Sequence, residues 1–281
     1  MKKFIAGLLC TMLCATSVFA ADPFVEVSGF EGDMEVMYSN GVIKKTTAPA
    51  VVLMVNGDAV GDADAIIKNG TTLVPLRFIS ERFGANVAWD SDTKTVVINN
   101  ADTSIKCQIG DSAVIVNGER CETTNPAEII DGRTYVPLRA ISTAFGAEVG
   151  YVGDLAEDTR FVWVEQEKRV KVTQEDAGII VEKRYFEDFL PSMQTTIFQL
   201  HGFDGVTKEN HAEKFPSAGA VSCKVTADLG HYWYVKIFEN GWVGALVDKE
   251  TGSVYAAHAF SLVNFSVAEE GDYSGWGWTY Q

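Results

Sequence analysis

Positive charge is scarce in this chain: 23 Lys and Arg stand against 38 Asp and Glu, a formal net charge of −15. Such a surface repels polyanions, which argues against nucleic acid and anionic lipid as partners. Histidine is scarcer still. His201, His211, His231 and His258 are separated by 10, 20 and 27 residues, so no HxH or HxxxH pair exists to chelate a metal locally. No G-x-S-x-G elbow is present for a nucleophilic serine. Cys223 alternates with Val221 and Val225 along a strand-like run, which reads as a core thiol. Asp58, Asp62 and Asp64 lack the D-x-D-x-D-G order and closing glutamate of a calcium loop. Neither a catalytic constellation, a metal site nor a cofactor site is therefore expected.

Long apolar runs are nearly absent, and the one that exists stands at the start. Lys2 and Lys3 precede an apolar stretch from Phe4 to about Ala15, and Val18-Phe19-Ala20 offers a cleavage site. This is the pattern of a secretory signal peptide over 1–20, cleaved after Ala20. The stretch is too short to favour a transmembrane helix. Cys10 and Cys14 follow Leu9 and Leu13 rather than a small residue, so no lipid anchor is expected. The mature chain has no further apolar run of spanning length. It carries 21 cations against 38 anions, a net charge of −17, and three cysteines: Cys107, Cys121 and Cys223. An odd cysteine count and a hydrophobic fraction of 47% point to an ordinary apolar core rather than a disulfide framework.

What the chain does have is repetition. "TTLVPLRFISERFGANVAWD" at 71–90 returns as "RTYVPLRAISTAFGAEVGYV" at 133–152. In each copy a short strand reaches Pro75 or Pro137, and proline suits a helix start. Leu76, Ile79 and Phe83, like Leu138, Ile141 and Phe145, fall at i, i+3, i+7, one buried helical stripe. Gly84 and Gly146 stand where a helix ends in the left-handed conformation. Two strands follow. The second copy has four extra residues between Tyr151 and Asp158, expected as a surface loop. A helix of about nine residues is unstable alone and must lay its stripe on a sheet. Arg77 and Arg139 are read as structural clamps on carbonyls or a carboxylate, through the fixed donor fork of arginine.

Hairpin signals are dense. Asn40-Gly41, Asn56-Gly57, Asn69-Gly70, Asn117-Gly118, Asp131-Gly132 and Asn240-Gly241 are all two-residue turn candidates. Turns at Gly110-Asp111 and Asn117-Gly118 would set residue 107 opposite 114 and 114 opposite 121. Cys107 and Cys121 would then share a sheet face about 9–10 Å apart, beyond the ~7 Å reach of a disulfide. The expected fold is α+β in two domains. Residues 21–47 form lead-in strands. Residues 48–165 form a domain from the duplicated strand–helix–strand–strand unit packed on antiparallel sheet. Residues 170–281 form a second α+β domain with an apolar helical segment from Tyr185 and strands near 221–226, 232–238, 242–247 and 254–258. At the end, Trp276, Trp278 and Tyr280 alternate, and a strand there would put all three on one face, either as a last strand closing the core or as a candidate binding row.

The residues "VNG" at 55–57 and 116–118, "GTTLVPLR" at 70–77, "GRTYVPLR" at 132–139, "FGANVAWD" at 83–90 and "FGAEVGYV" at 145–152 carry a family likeness. The region 48–165 resembles the copper amine oxidase N-terminal-like, or stalk, domain. The resemblance implies an exported, surface-associated accessory module, separate from any catalytic domain. The expected function is a secreted cell-envelope accessory protein, non-catalytic, with a stalk-like spacer and a C-terminal module that binds an envelope protein or a cell-wall glycan. The competing expectation is an extracellular hydrolase whose active site, in 170–281, gathers His201, Asp204, Glu209 and His211. Export makes the first prediction. Mass spectrometry of the native protein should find a chain beginning at Ala21, and intact Met1 in a membrane fraction would contradict it.

Overall fold

A computed structural model describes residues 25–276 apart from 31, 39, 61–62, 157, 168, 192–204, 240–242, 260–264 and 274–275. The fold is α+β and mainly β, and its several sheets fit a two-domain arrangement. Three strands open it: β1 (Val25–Phe30), β2 (Asp33–Tyr38) and β3 (Ile43–Thr46). The repeat region then runs β4 (Ala50–Val55), β5 (Asp58–Ala59), β6 (Ile66–Lys68), β7 (Thr71–Pro75), α1 (Leu76–Arg82), β8 (Asn86–Asp90) and β9 (Thr95–Asn99). It continues through β10 (Ser104–Gln108), β11 (Ala113–Val116), β12 (Glu119–Glu122), β13 (Glu128–Ile130), β14 (Arg133–Pro137), α2 (Leu138–Ala144), β15 (Glu148–Ala156) and β16 (Thr159–Glu165). The remainder comprises α3 (Gln174–Arg184) with a π-helical turn (Tyr185–Phe189), α4 (His211–Lys214), and β17 (Val221–Asp228), β18 (Tyr232–Phe238), β19 (Val243–Asp248), β20 (Val254–Ala259) and β21 (Phe265–Glu270).

The local sequence explains most of these elements. Asn56-Gly57, Asn69-Gly70, Asn117-Gly118 and Asp131-Gly132 all take positive φ at both positions and close the tight hairpins β4–β5, β6–β7, β11–β12 and β13–β14. That is the turn whose twist matches the flanking strands. Both repeat helices end alike. Gly84 N–H donates to the Glu81 carbonyl (3.0 Å) and Ala85 N–H to that of Ser80 (3.0 Å); Gly146 and Ala147 do the same to Thr143 (2.9 Å) and Ser142 (2.9 Å). This is the Schellman stop, with its glycine at φ +66° and +78°. The helices are seven residues long, shorter than expected, because Pro75 and Pro137 are the caps and last strand residues rather than the first helical ones. The cysteine hairpin register is as read: Cys107 opposes Val114, which opposes Cys121. All three described cysteines are free thiols, and burial pushes Cys107 and Cys223 up to about 12.

The repeated phrases meet at β7 and β14. Val74 pairs with Val136, flanked by Leu73–Pro137 and Pro75–Tyr135, so equivalent positions of the two copies exchange roles about that central pair. Phe83 and Phe145 stack at 5.1 Å and 28°. They are not buried alike: Phe83 is 6% exposed, while Phe145 is half-buried. The four extra residues of the second copy form no separate loop. They lengthen β15 to nine residues and are taken up by a register shift between Val152 and Ala156, a bulge that leaves the flanking pairing intact.

Two sequence expectations change around the C-terminal sheet. The strands at 25–46 are three, and β1 pairs with β21 to extend one eight-stranded antiparallel sheet, β17-β18-β19-β20-β21-β1-β2-β3. A helix also begins at Gln174, eleven residues before the apolar segment. Its Thr173 accepts from the Asp176 N–H while Asp176 accepts from that of Thr173, a capping box. Met193, Ile197 and Leu200 of the expected helix lie outside the described residues.

The strands β4 and β16 run parallel, Ala50 beside Thr159 through Val55 beside Val164, and both faces are buried. Leu53, Val55, Val162 and Val164 face the repeat core with Leu76, Ile79, Leu138 and Ile141. Val52, Met54, Phe161 and Trp163 face a second core shared with β1, β2, β18, β20 and β21. A third core lies under α3. Truncating Phe83 to alanine should cost about 3–5 kcal/mol, the range for a core phenylalanine. Phe145→Ala should cost less, because its ring is already partly hydrated. Urea melts of both single variants check the order; equal losses would overturn the order, and wild-type midpoints would show that the helix stripe does not anchor this core.

Candidate functional site

The residues that chemistry would favour are buried or dispersed. The Tyr185 hydroxyl donates to His211 Nε2 (2.7 Å), and His211 Nδ1 donates to the Gly219 carbonyl (2.8 Å). Fully buried, His211 is held neutral, its pKa lowered chiefly by desolvation. It is a satisfied core residue. Glu209 is exposed, and His201 and Asp204 lie outside the described residues. Among the described residues no three His, Cys, Asp or Glu side chains converge on a metal position. Trp276 takes the core position rather than a place in a binding row. It is fully buried, stacked on Tyr273 at 4.5 Å, and its Nε1 donates to the Gly244 carbonyl (3.0 Å). The third core claims its ring, because an aromatic gains most where no water reaches it. Trp278 and Tyr280 lie outside the described residues.

The surface feature that stands out is a pair of grooves in the repeat region. The first, of about 700 Å³, has Pro75 to Phe78 and Glu81 along the start of α1, Val87 and Trp89 from β8, Val96 from β9, and Ile129 with Gly132 to Thr134 from the β13–β14 hairpin. The second, of about 900 Å³, includes Pro137 to Ala140 and Thr143, Val149 and Tyr151, Val162, and Ile67 with Gly70 to Thr72. All twelve lining positions of the first recur in the second at the repeat offset. Each groove is built by the helix of one copy and the hairpin of the other.

Apolar side chains stand exposed on the walls at matching positions: Trp89 at 49% and Ile129 at 55% in the first, Tyr151 at 53% and Ile67 at 37% in the second. Each wall is also a sheet edge. In the five-stranded sheet β12-β11-β10-β9-β8, β8 is outermost; β13 and β6 are the edges of β13-β14-β7-β6; β15 is an edge of β15-β16-β4-β5. The sheets around the first groove touch at one parallel bridge, Ile109–Ala127, just before β13 begins.

The expected arginine clamps are seen in one copy. Arg139 Nη1 donates to the Val149 carbonyl (2.9 Å), but exposed Arg77 has no hydrogen-bond or ion-pair partner among the described residues. Arg133 and Lys44 both hold Asp64. Burial opposes its charge, but their hydrogen bonds prevail and keep its pKa below the usual carboxylate value. Sequence reasoning passed over Trp89 and Tyr151. An aromatic two residues beyond Val87 and Val149, at the same point of both phrases, was the available signal.

A polar cluster bolts the repeat region to the C-terminal sheet. His231 lies between Asp248 (3.2 Å) and Glu165 (3.7 Å), and an added Cβ on Gly57 would come within 3.0 Å of its ring. Lys249, 2% exposed, donates to Asp228 and the Gly230 carbonyl and lies 3.8 Å from the Trp233 ring centroid. Trp163 Nε1 donates to the Asp228 carbonyl (3.1 Å). Its ring passes so close to Gly150 and Gly230 that a Cβ would come within 2.0 Å and 2.8 Å. The neighbouring carboxylates, Asp248 first and then Glu165, raise the His231 pKa from 6.5 to about 9. A raised folded pKa stabilises fully below the unfolded value, and that stability is lost as pH rises through the folded one. The contribution should therefore be complete below about pH 6.5 and gone above about pH 9. Urea melts across this window should show a decline that His231→Gln largely removes. An identical pH profile in the variant would show that this bolt is not protonated.

A protein of Brevibacillus choshinensis named "Protease inhibitor" is 29% identical over 117 residues, which cover 40% of this chain and 36% of that protein. The similarity thus spans about a third of the relative's length. Within the repeat region, where the two grooves lie, residues 54–159 match the family described as copper amine oxidase N-terminal domain.

Proposed function

We propose that this chain is a secreted accessory protein of a bacterial cell envelope that binds a partner and carries out no catalysis. Its 48–165 region is a stalk-like spacer made from a duplicated strand–helix–strand–strand unit, and the paired grooves are where it engages an envelope protein or a cell-wall glycan. The C-terminal module, 170–281, docks on this spacer through the core around β4 and β16. The observation that carries the reading is the position-by-position correspondence of the two groove linings. Repetition for packing alone would repeat the buried stripe. Here exposed Trp89 and Tyr151, and Ile129 and Ile67, occupy equivalent positions as well, and exposed apolar groups cost solubility unless they meet something. The match to a domain that stands apart from catalysis in the oxidases supports the non-catalytic part, and the Brevibacillus relative's name points to a binding role.

The test is cosedimentation of the mature chain with purified cell-wall sacculi and with solubilised envelope proteins. Wild type should be retained by one of them. The Trp89→Ala/Tyr151→Ala double variant should lose about tenfold or more, since truncating an aromatic anchor costs about 2 kcal/mol. Its melting temperature should stay near wild type, because both side chains are half exposed. Undiminished retention of the variant would remove the grooves from the binding surface.

A further inference from the structure

We propose that the first groove, between β8 and β13, binds an extended peptide segment bearing an acidic side chain, by strand addition to its open edges. The inference rests on the partner-binding reading above and narrows the partner there to polypeptide. Edge strands expose rows of N–H and C=O groups, which proteins usually blunt with lysine, proline or a covering element. Neither Asn86–Asp90 nor Glu128–Ile130 contains a lysine or a proline, their one charged residue each, Asp90 and Glu128, stands at a strand end with Glu128 paired to Lys68, and both strands are outermost in their sheets among the described residues. A segment laid in the groove meets an open backbone edge on either side. A backbone matches such a ladder, and a sugar ring does not.

The side chains add a register. Val87 and Trp89, two apart on β8, both line the groove, so they project from one face and present apolar contacts at the spacing of alternate residues of an added strand. Charge selects the occupant. Arg77, Arg133 and Glu81 are the ionisable groups lining this groove, and Arg133 is engaged by Asp64. Arg77 therefore presents a guanidinium fork without a partner among the described residues, in a chain whose net charge is −15. That fork fits a carboxylate. The second groove differs where it matters: Thr71 and Thr143 replace Arg133 and Glu81, Glu119 and Glu122 line it, and Arg139 is spent on the Val149 carbonyl. An acidic strand should therefore choose the first groove.

The experiment titrates the full mature chain with an array of end-blocked eight-residue peptides. These carry Val, Ile or Phe at alternate positions and Asp or Glu among the rest, and their Asn/Gln counterparts serve as controls. Oligomers of N-acetylglucosamine form a separate arm. Acidic peptides should bind one per chain, and the amide counterparts should bind on the order of tenfold more weakly. N-methylation of alternate peptide amides should abolish binding, and amide exchange should slow within 86–90 or 128–130. Arg77→Ala and Trp89→Ala should each weaken binding on the order of tenfold with unchanged melting, while Ile179→Ala, at an exposed apolar position of α3 outside both grooves, leaves it intact. Peptide binding that ignores N-methylation or Trp89 would overturn the proposal, as would the absence of binding by any peptide. Trp89-dependent binding of the sugar oligomers alone would overturn it while leaving the partner-binding reading standing. A chain dimer that Trp89→Ala dissolves would assign the groove to a second copy instead. Failure of both arms, together with no retention by sacculi or envelope proteins, would sink both readings.

Discussion

The structure depends on two strands being buried on both faces. β4 and β16 come from the two ends of the repeat region and pair in parallel, and their alternating side chains feed two cores. Strand geometry makes this unavoidable, since successive side chains point to opposite faces. A one-residue slip would exchange the two sets and place Trp163 and Met54 in the core built for Val162 and Leu53. Trp163 makes such a slip costly. It fits only because Gly150 beneath it and Gly230 beyond it have no side chains. The docking of the C-terminal sheet is thus set by the same register that closes the repeat region.

That arrangement explains why the grooves can exist. Short helices of seven residues cannot hold their own conformation; here their buried stripes are held between sheets that β4 and β16 tie together. With the stripe fixed, the opposite side of each helix start is left facing a gap between two sheet edges. The pairing of Val74 with Val136 relates one gap to the other. The grooves are alike in backbone and apolar lining and unlike in charge: one has Arg133 where the other has Thr71, and neither position is buried, so packing does not constrain the choice. Divergence in charge on an equivalent frame makes the two grooves electrostatically distinct.

Elsewhere the polar groups serve the fold. His211 is satisfied by Tyr185 and Gly219, and Trp276 by Gly244. His231 and Lys249 are drawn into a junction lined by Glu165, Asp228 and Asp248. Buried charges of this kind persist only when paired, and here the pairing crosses from the repeat region to the C-terminal sheet. Burial and the His231 contact pull oppositely on Asp248; the contact, with the Thr251 and Glu250 N–H groups, prevails and holds its pKa below the usual value.

Local chemistry was legible in the sequence. Asn-Gly and Asp-Gly turns require positive φ whatever surrounds them, so the hairpins could be placed and Cys107, Val114 and Cys121 set in register. Proline before and glycine after the repeated stripe delimited both helices, and the i, i+3, i+7 spacing marked their buried side. The Thr173–Asp176 capping box is equally local, a helix start written eleven residues before the more conspicuous apolar segment at Tyr185. The sequence alone could not say that β1 would seek β21, that the second copy's extra residues would become a bulge, or that Phe145 would stay only partly buried while Phe83 was covered. Nor could it separate Trp276, buried beneath α3, from Trp89, exposed on an edge, since both are aromatics in strand-like surroundings. Those outcomes depend on which surfaces distant segments leave for one another, and burial is a property of the assembled pair rather than of either residue. The grooves are the extreme case: each is walled by the helix of one repeat and the hairpin of the other, so neither copy, read alone, contains one.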